Sequence, residues 1–529
     1  MIPRLALPPA PAVLALIALA FIAPGLAAHD PWKTFDAIGI EIAHQMHLSG
    51  DWVVPRVAGA PWLEDAPLYH WIALAFGKLL GWAIPFHNAA RLASGLCMLL
   101  AVFFLHRVAG AAAPLLLIGS IGLIVHAHEA IPDLAGLAAI CAAYAVLARA
   151  HERPLLKGAA FGAALGLAAL GGSWIVPAAL ALAVLLGHAA CAPWRSARAW
   201  PFLAAAAAGA ILVAGSWPLA LAQRAPELLG PWWYLATHTR GEFWPNLRYF
   251  LVMSSWFTWP AWPLAAWALW ALRRHWREPR LFVPAAAFAL TFAAIVVAGP
   301  PQDVTAIALL APLALLGAEG AALLRRGAAA ALDWFGVMTF TVFAALIWLG
   351  YIALMSGVPP KIHQFFLKTA PGFDAQFAVA GFVLGLALTL GWLYVAFFTA
   401  PSPMRGVTRW AAGVALLWGS FAALHMPWAD YQKSYRGVAL QLRSKVPVGA
   451  GCIAGQNLGV TQRAALSYHA GLRTVPADRA KPDACRLLLV QGNPRDERDG
   501  PNAAWTKIAD VGRPGDKAER YRLYRLETK

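Results

Sequence analysis

The side chains best suited to chemistry gather between His29 and Trp71 (HDPWKTFDAIGIEIAHQMHLSGDWVVPRVAGAPWLEDAPLYHW), the one long polar interruption in the front half of an otherwise apolar chain. Asp30, Asp36, Glu41, Asp51, Glu64 and Asp65 lie there beside Lys33, Arg56, His44, His47 and His70. Carboxylates at this density suit the removal of a proton from a hydroxyl, or its orientation, while neighbouring cations suit an anionic leaving group. For any single acid the plain alternative is solvation of the loop. A second polar group, His126, His128, Glu129 and Asp133, interrupts a later apolar stretch. The signatures of other chemistries are missing: there is no Gly-rich phosphate loop with its lysine, no paired CxxC, no HExxH and no GxSxG.

The elements that must position these groups are membrane helices. The chain has 529 residues, of which 60% are hydrophobic and 13% charged, the composition of a polytopic helical membrane protein. Its formal charge of +16 sits largely as arginine between apolar runs, where it orients helices, so nucleic-acid binding is discounted. The 25 tryptophans suit aromatic belts at the two interfaces. Apolar runs fall near 5–27, 89–107, 113–127, 131–150, 156–171, 175–190, 203–222, 249–272, 281–298, 303–323, 332–356, 375–398 and 410–428, thirteen expected spans. The first is read as an uncleaved helix, although Gly25 to Ala28 resembles a cleavage site. The run 67–86, broken by Lys78 and two prolines, is read as juxtamembrane. Only then does every dense Arg cluster between spans fall on one face, with the N-terminus cytoplasmic. The opposite, periplasmic face receives the 28–88 loop, His126 to Asp133, the 223–248 and 357–374 loops, and the C-terminus.

Within the loop, Ile38, Ile42 and Met46 form one apolar face of a helix over Phe35 to Leu48, expected to lie on the membrane surface. Ser49-Gly50-Asp51 ends it, and Glu64 and Asp65 mark the corner where the chain returns. From about residue 429 the composition changes, with 18 Lys and Arg against ten Asp and Glu. Short apolar runs bounded by Gly, Pro, Asn and Asp read as strands, and Thr461 to His469 as a helix. Residues 1–428 are thus expected to form the membrane domain and 429–529 an external α/β domain. Cys97, Cys141 and Cys191 lie in or near apolar helices and read as inert. Cys452 and Cys485 share the external segment, where a bridge between them is compatible with an oxidising compartment.

Ser49-Gly50-Asp51-Trp52 and Pro67-Leu68-Tyr69 with Trp71 resemble the first external loop of bacterial polyprenyl-phosphate-dependent glycosyltransferases of the GT-C superfamily, the protein mannosyltransferase and lipid A aminoarabinose transferase group. Ile131-Pro132-Asp133, His238 after Pro231-Trp232-Trp233-Tyr234, and Ala311 to Leu316 resemble further parts of that pattern. The resemblance implies a mostly α GT-C-like bundle with external juxtamembrane helices. It also implies transfer of a sugar, with inversion, from a polyprenyl-phosphate donor to a lipid, glycan or protein acceptor at the external face of the inner membrane. It makes Asp36 the catalytic base and places Asp30, Lys33, Arg56, Glu64, Asp65, Tyr69, Asp133 and Arg240 around the substrates. It pairs Glu64 with His238 as ligands of a divalent metal. The sequence departs from the pattern at Phe35, which stands where the family has its first Asp. Asp65-Ala66 replaces Lys-Pro, and the Lys-Gly-Pro at the end of a later span is absent around Gly171-Gly172-Ser173. A family member that binds the lipid without catalysis, and a lipid or glycan transporter, are the alternatives. Against a transporter, no internal repeat is evident and the acids gather at one face.

Overall fold

A backbone in lipid must satisfy its own N–H and C=O groups, so apolar runs in a membrane chain become helices. The computed structural model describes residues 11–32, 34–195, 199–238, 241–447, 449–478, 485–493, 501 and 504–527. Among these, seven segments are long and apolar enough to cross a membrane: Phe86–Ala109, Ala199–Arg224, Pro279–Ala298, Asp303–Ala322, Arg326–Ser356, Val379–Phe398 and Arg405–Lys445. Pro11–Ile22, Pro132–Leu147, Pro154–Leu170 and Ile175–Ala190 are shorter apolar helices among them.

Two of the thirteen expected spans are broken. The run 113–127 divides into Ala112–Ile118 and Leu123–His126, and 249–272 into Phe243–Phe257 and Ala261–Ala271. Pro260 disfavours helical backbone at Trp259. The two breaks repair each other, since Ile121 N–H donates to the Trp259 carbonyl at 3.2 Å and Gly122 N–H to that of Phe257 at 2.9 Å. Gly122 is required there, because a Cβ would fall 2.1 Å from the Phe257 ring. The 67–86 run forms the helix Leu68–Leu80 of 13 residues, about 20 Å long and short of a ~30 Å hydrocarbon core.

The last long helix, Arg405–Lys433, carries on past residue 428, and the α/β unit begins with the helix Arg436–Lys445. Its five strands lie in the order Thr474–Pro476, Ile453–Gln456, Leu487–Gly492, Arg520–Leu526, Trp505–Val511. The first three are mutually parallel; Arg520–Leu526 then pairs antiparallel with Leu487–Gly492, and Trp505–Val511 antiparallel with Arg520–Leu526 at the edge. Cys452 and Cys485 are disulfide-bonded at the start of the two central parallel strands.

The helix Phe35–Ser49 sits where these parts meet. Ile40 and Ala43 join the core of the membrane bundle, Ala37 joins the core of the α/β unit, and Ile38, Ile42 and Met46 pack on Val57, Leu74 and Ala464. The expected position on the membrane surface is therefore corrected: the helix is buried on several sides, with Val460–Ala470 of the α/β unit lying across it. Periodicity found one apolar face but not the small residues that serve the others. Gly39 allows the closest approach, since a Cβ there would fall 1.8 Å from the Ala130 carbonyl oxygen. Gly50 ends the helix in the left-handed conformation at φ 70°, as a C-terminal glycine does.

Candidate functional site

Asp36 lies in the first turn of Phe35–Ser49 and is 1% exposed. Its Oδ1 accepts from Arg91 Nε at 3.0 Å and from the Ala130 N–H at 2.8 Å. Its Oδ2 accepts from Arg91 Nη2 at 2.7 Å and from the Trp32 N–H at 3.1 Å. Arg91, on the Phe86–Ala109 helix, is fully buried and also donates to the carbonyls of His29 and Asp30 at 2.9 and 2.8 Å. Burial alone would raise the Asp36 carboxyl, but the charge and hydrogen bonds of Arg91 hold it below the ordinary carboxylate range. Such a carboxylate is a filled acceptor. It fixes Arg91 and the start of the loop, and no lone pair remains for an acceptor hydroxyl. The base role expected for Asp36 would have to compete with these four hydrogen bonds. Arg91 escaped sequence reading because one arginine inside an apolar run carries no distinguishing pattern.

Asp30 faces the α/β unit. Its Oδ2 accepts from Ser434 Oγ at 2.6 Å, its Oδ1 pairs with Arg436, and its N–H donates to Asp430 Oδ1 at 2.9 Å. His87 Nδ1 lies 2.9 Å from the Tyr468 hydroxyl, joining the same seam. Burial and the Arg91 charge push His29, beside it, down to about 4, so it is neutral at physiological pH. Glu41 is partly committed structurally: its Oε1 accepts from Gln45 Nε2 at 2.8 Å and from the Ala58 N–H at 3.3 Å, while its buried Oε2 has no hydrogen-bond partner and lies 3.9 Å from His44 Nδ1. The bond from Ala58 secures the hairpin Arg56–Val57/Ala60–Pro61, whose two turn residues, Ala58 and Gly59, both have positive φ. Asp51 closes its own turn by accepting from the N–H groups of Val53 and Val54. Tyr69 is buried, its hydroxyl 2.7 Å from Ser94 Oγ, which donates to the Glu129 carbonyl at 2.7 Å.

The outer half of the loop keeps its polar groups nearer the surface. Glu64 is exposed, while Asp65 is half-buried and accepts from Trp62 Nε1 at 2.8 Å. Arg56 is half-buried on the hairpin. This half is tied to the bundle by Trp217, whose Nε1 donates to the Val53 carbonyl at 2.8 Å. Asp133 is half-buried in the first turn of Pro132–Leu147, three residues after Ala130. Nearby, His126 lies between Glu129, at 2.5 Å, and Asp303, at 3.3 Å. Burial opposes its protonation, but hydrogen bonds to Asp303 and Glu129 outweigh this and push it up to about 10.

The structure thus brings Asp30, Asp36 and Tyr69 to one buried seam around Arg91 and Ser94, and leaves Arg56, Glu64 and Asp65 on the outer half of the loop. Lys33 and Arg240 lie outside the described residues. His238 is exposed, stacks on Tyr234 at 3.6 Å between ring centroids and has Nδ1 3.0 Å from that residue's carbonyl. Among the described residues no group of three or more His, Cys, Asp or Glu side chains is arranged to hold a metal ion.

This fold, a helical bundle with a structured loop seam and a small sheet domain, recurs in solved structures. Two structures of ArnT from Cupriavidus metallidurans share it over 97% of both chains. One is bound to undecaprenyl phosphate (TM-score 0.66, 17% identity) and the other is in the apo state (TM-score 0.67, 16% identity). A looser likeness, TM-score 0.48 at 10% identity over 91% of this chain and 69% of the other, relates it to the archaeal oligosaccharyltransferase AglB from Archaeoglobus fulgidus. No family model and no curated protein matches the sequence.

Proposed function

We propose that this chain is a multi-pass inner-membrane glycosyltransferase that takes a sugar from a polyprenyl-phosphate carrier and passes it to a hydroxyl of a lipid, glycan or protein at the loop end of the bundle. One observation carries the reading: the ArnT-like fold extends over nearly the whole chain, and ArnT in that fold is bound to undecaprenyl phosphate. In the reaction the bond from the sugar's anomeric carbon to the phosphate oxygen breaks, its electron pair leaving with the phosphate. The acceptor oxygen bonds to that carbon from the opposite side, and its proton passes to a carboxylate. Asp133 is the carboxylate suited to that proton. Its helix begins directly after Ala130, whose N–H is held by Asp36, so the Asp36–Arg91 pair positions it. Arg56, with Lys33 and Arg240, supplies cations for the leaving phosphate, in place of the lysine replaced by Asp65.

A second reading, a polyprenyl-lipid-binding protein without turnover, is favoured by the filled acceptors of Asp36 and by that same Asp65. The two are separated in vesicles made from cell-envelope extract, which supplies lipid, glycan and protein acceptors, and carrying radiolabelled polyprenyl-phosphate sugars, reading bound donor and released polyprenyl phosphate. Release that Asp133→Asn abolishes while donor still binds supports the transferase. Binding of donors without release from any of them selects the second reading, and absence of binding removes both. The polyprenyl-linked species that accumulates on deletion identifies the sugar.

A further inference from the structure

At the end of the bundle away from the loop, a cavity of about 1200 Å³ opens among the ends of Phe86–Ala109, Pro132–Leu147, Pro154–Leu170, Ile175–Ala190, Ala199–Arg224, Pro279–Ala298 and Leu310–Ala322. It exceeds the ~300–1,000 Å³ of ordinary small-ligand clefts. Its walls are mostly apolar. Two buried polar atoms on them, the Tyr144 hydroxyl and His188 Nδ1, have no hydrogen-bond partner. A buried hydroxyl without a partner is costly, so these two atoms call for a ligand with acceptor or donor oxygens among apolar chains. Glu278, Arg280 and Glu319 also line the cavity, with Arg280 donating to Glu278 at 2.8 Å and to Glu319 at 3.0 Å. Two carboxylates around one guanidinium leave a net negative charge beside one fixed cation.

We propose that this cavity is a binding site for a phospholipid whose head group carries both a phosphate and a primary ammonium. The acyl chains fill the apolar volume, the ester and phosphate oxygens meet Tyr144, His188 and Arg280, and the ammonium meets Glu278 and Glu319. A head group with phosphate alone would set its net negative charge against the two carboxylates. The site lies at the opposite end from Asp36 and Asp133 and is independent of sugar transfer.

The test incubates the delipidated full chain with equimolar dioleoyl phosphatidylethanolamine and phosphatidylglycerol and reads retained lipid by native mass spectrometry. A diazirine-bearing phosphatidylethanolamine maps the contact. The expected result is preferential retention of phosphatidylethanolamine, with crosslinks in 144–154, 278–284 and 315–322. Ala148→Trp, which fills part of the cavity, removes the retained lipid, and Glu319→Gln lowers the head-group preference about threefold, as for a partly exposed ion contact. Equal retention of both lipids, or crosslinks spread evenly over the bundle, overturns the proposal. Because the wild-type crosslinks decide it, a misfolded variant leaves the test intact.

Discussion

Removing the charge of Asp36 separates its structural role from a chemical one. In Asp36→Asn the buried Arg91 loses the anion that faces both Nε and Nη2, while its other bonds, to the carbonyls of His29 and Asp30, offer only partial charge. Breaking a buried pair from one side costs about 3–5 kcal/mol, since the surviving charge stays desolvated. That is roughly two to nearly four powers of ten in the unfolding equilibrium. Arg91→Met incurs a similar loss by stranding Asp36. The double replacement Asp36→Leu/Arg91→Met removes both charges and is expected to cost less than the sum of the singles by at least about 2 kcal/mol. Cys97, buried six residues along the same helix, reports local opening through its alkylation rate in detergent. The same double variant decides the chemistry: if it folds and still transfers sugar, Asp36 is not the base. Single variants within about 1 kcal/mol of wild type, or additive losses, would refute the ion-pair argument.

Other outcomes follow from neighbouring contacts. His126 has a folded pKa of about 10 against an ordinary 6.5, so its contribution to stability is complete below about 6.5 and is lost as pH rises towards 10. Thermal melts from pH 6 to 10 should show that loss, and His126→Gln should flatten it. Gly39→Ala should cost about 1–3 kcal/mol or more by forcing the loop helix off the Ala130 carbonyl, read by chemical unfolding and by lost activity. Cys452→Ser should destabilise the α/β unit by about 3–4 kcal/mol, the loop-closure effect for a separation of 33 residues, and make it sensitive to limited proteolysis. Asp30→Ala, which strands Arg436 and frees Ser434, should loosen the seam and speed proteolysis between residues 430 and 436.

Much of the architecture is visible in the chain because its signals are long. Apolar runs, Arg clusters and the compositional change near 429 each average over many residues. Lys78 and the prolines around 67–86 marked a helix too short to span, since hydropathy is read against a fixed bilayer thickness. Breaks within apolar runs are harder to see: Pro260 is one proline among many, and what stabilises a break there is its partner at Ile121–Gly122, over a hundred residues away. The site is only half legible for the same reason. Glu64 and Asp65 announce a polar corner, but that Asp36 and one oxygen of Glu41 are bonded internally depends on Arg91, Ala130 and Ala58, whose approach is a tertiary fact. Seams between the loop and the α/β unit, such as His87 with Tyr468, leave no periodic trace at all.

The bond from the Asp30 N–H to Asp430 joins residues 400 positions apart. Ribosomes add about 5–20 residues per second, so roughly 20–80 s separate the emergence of the two partners. Throughout that interval the bundle is still being laid down beneath the loop helix, nothing covers it from above, and the seam around Asp30 stays unfinished. The α/β unit therefore acts as a completion signal, and a chain that terminates before it is left without an assembled site.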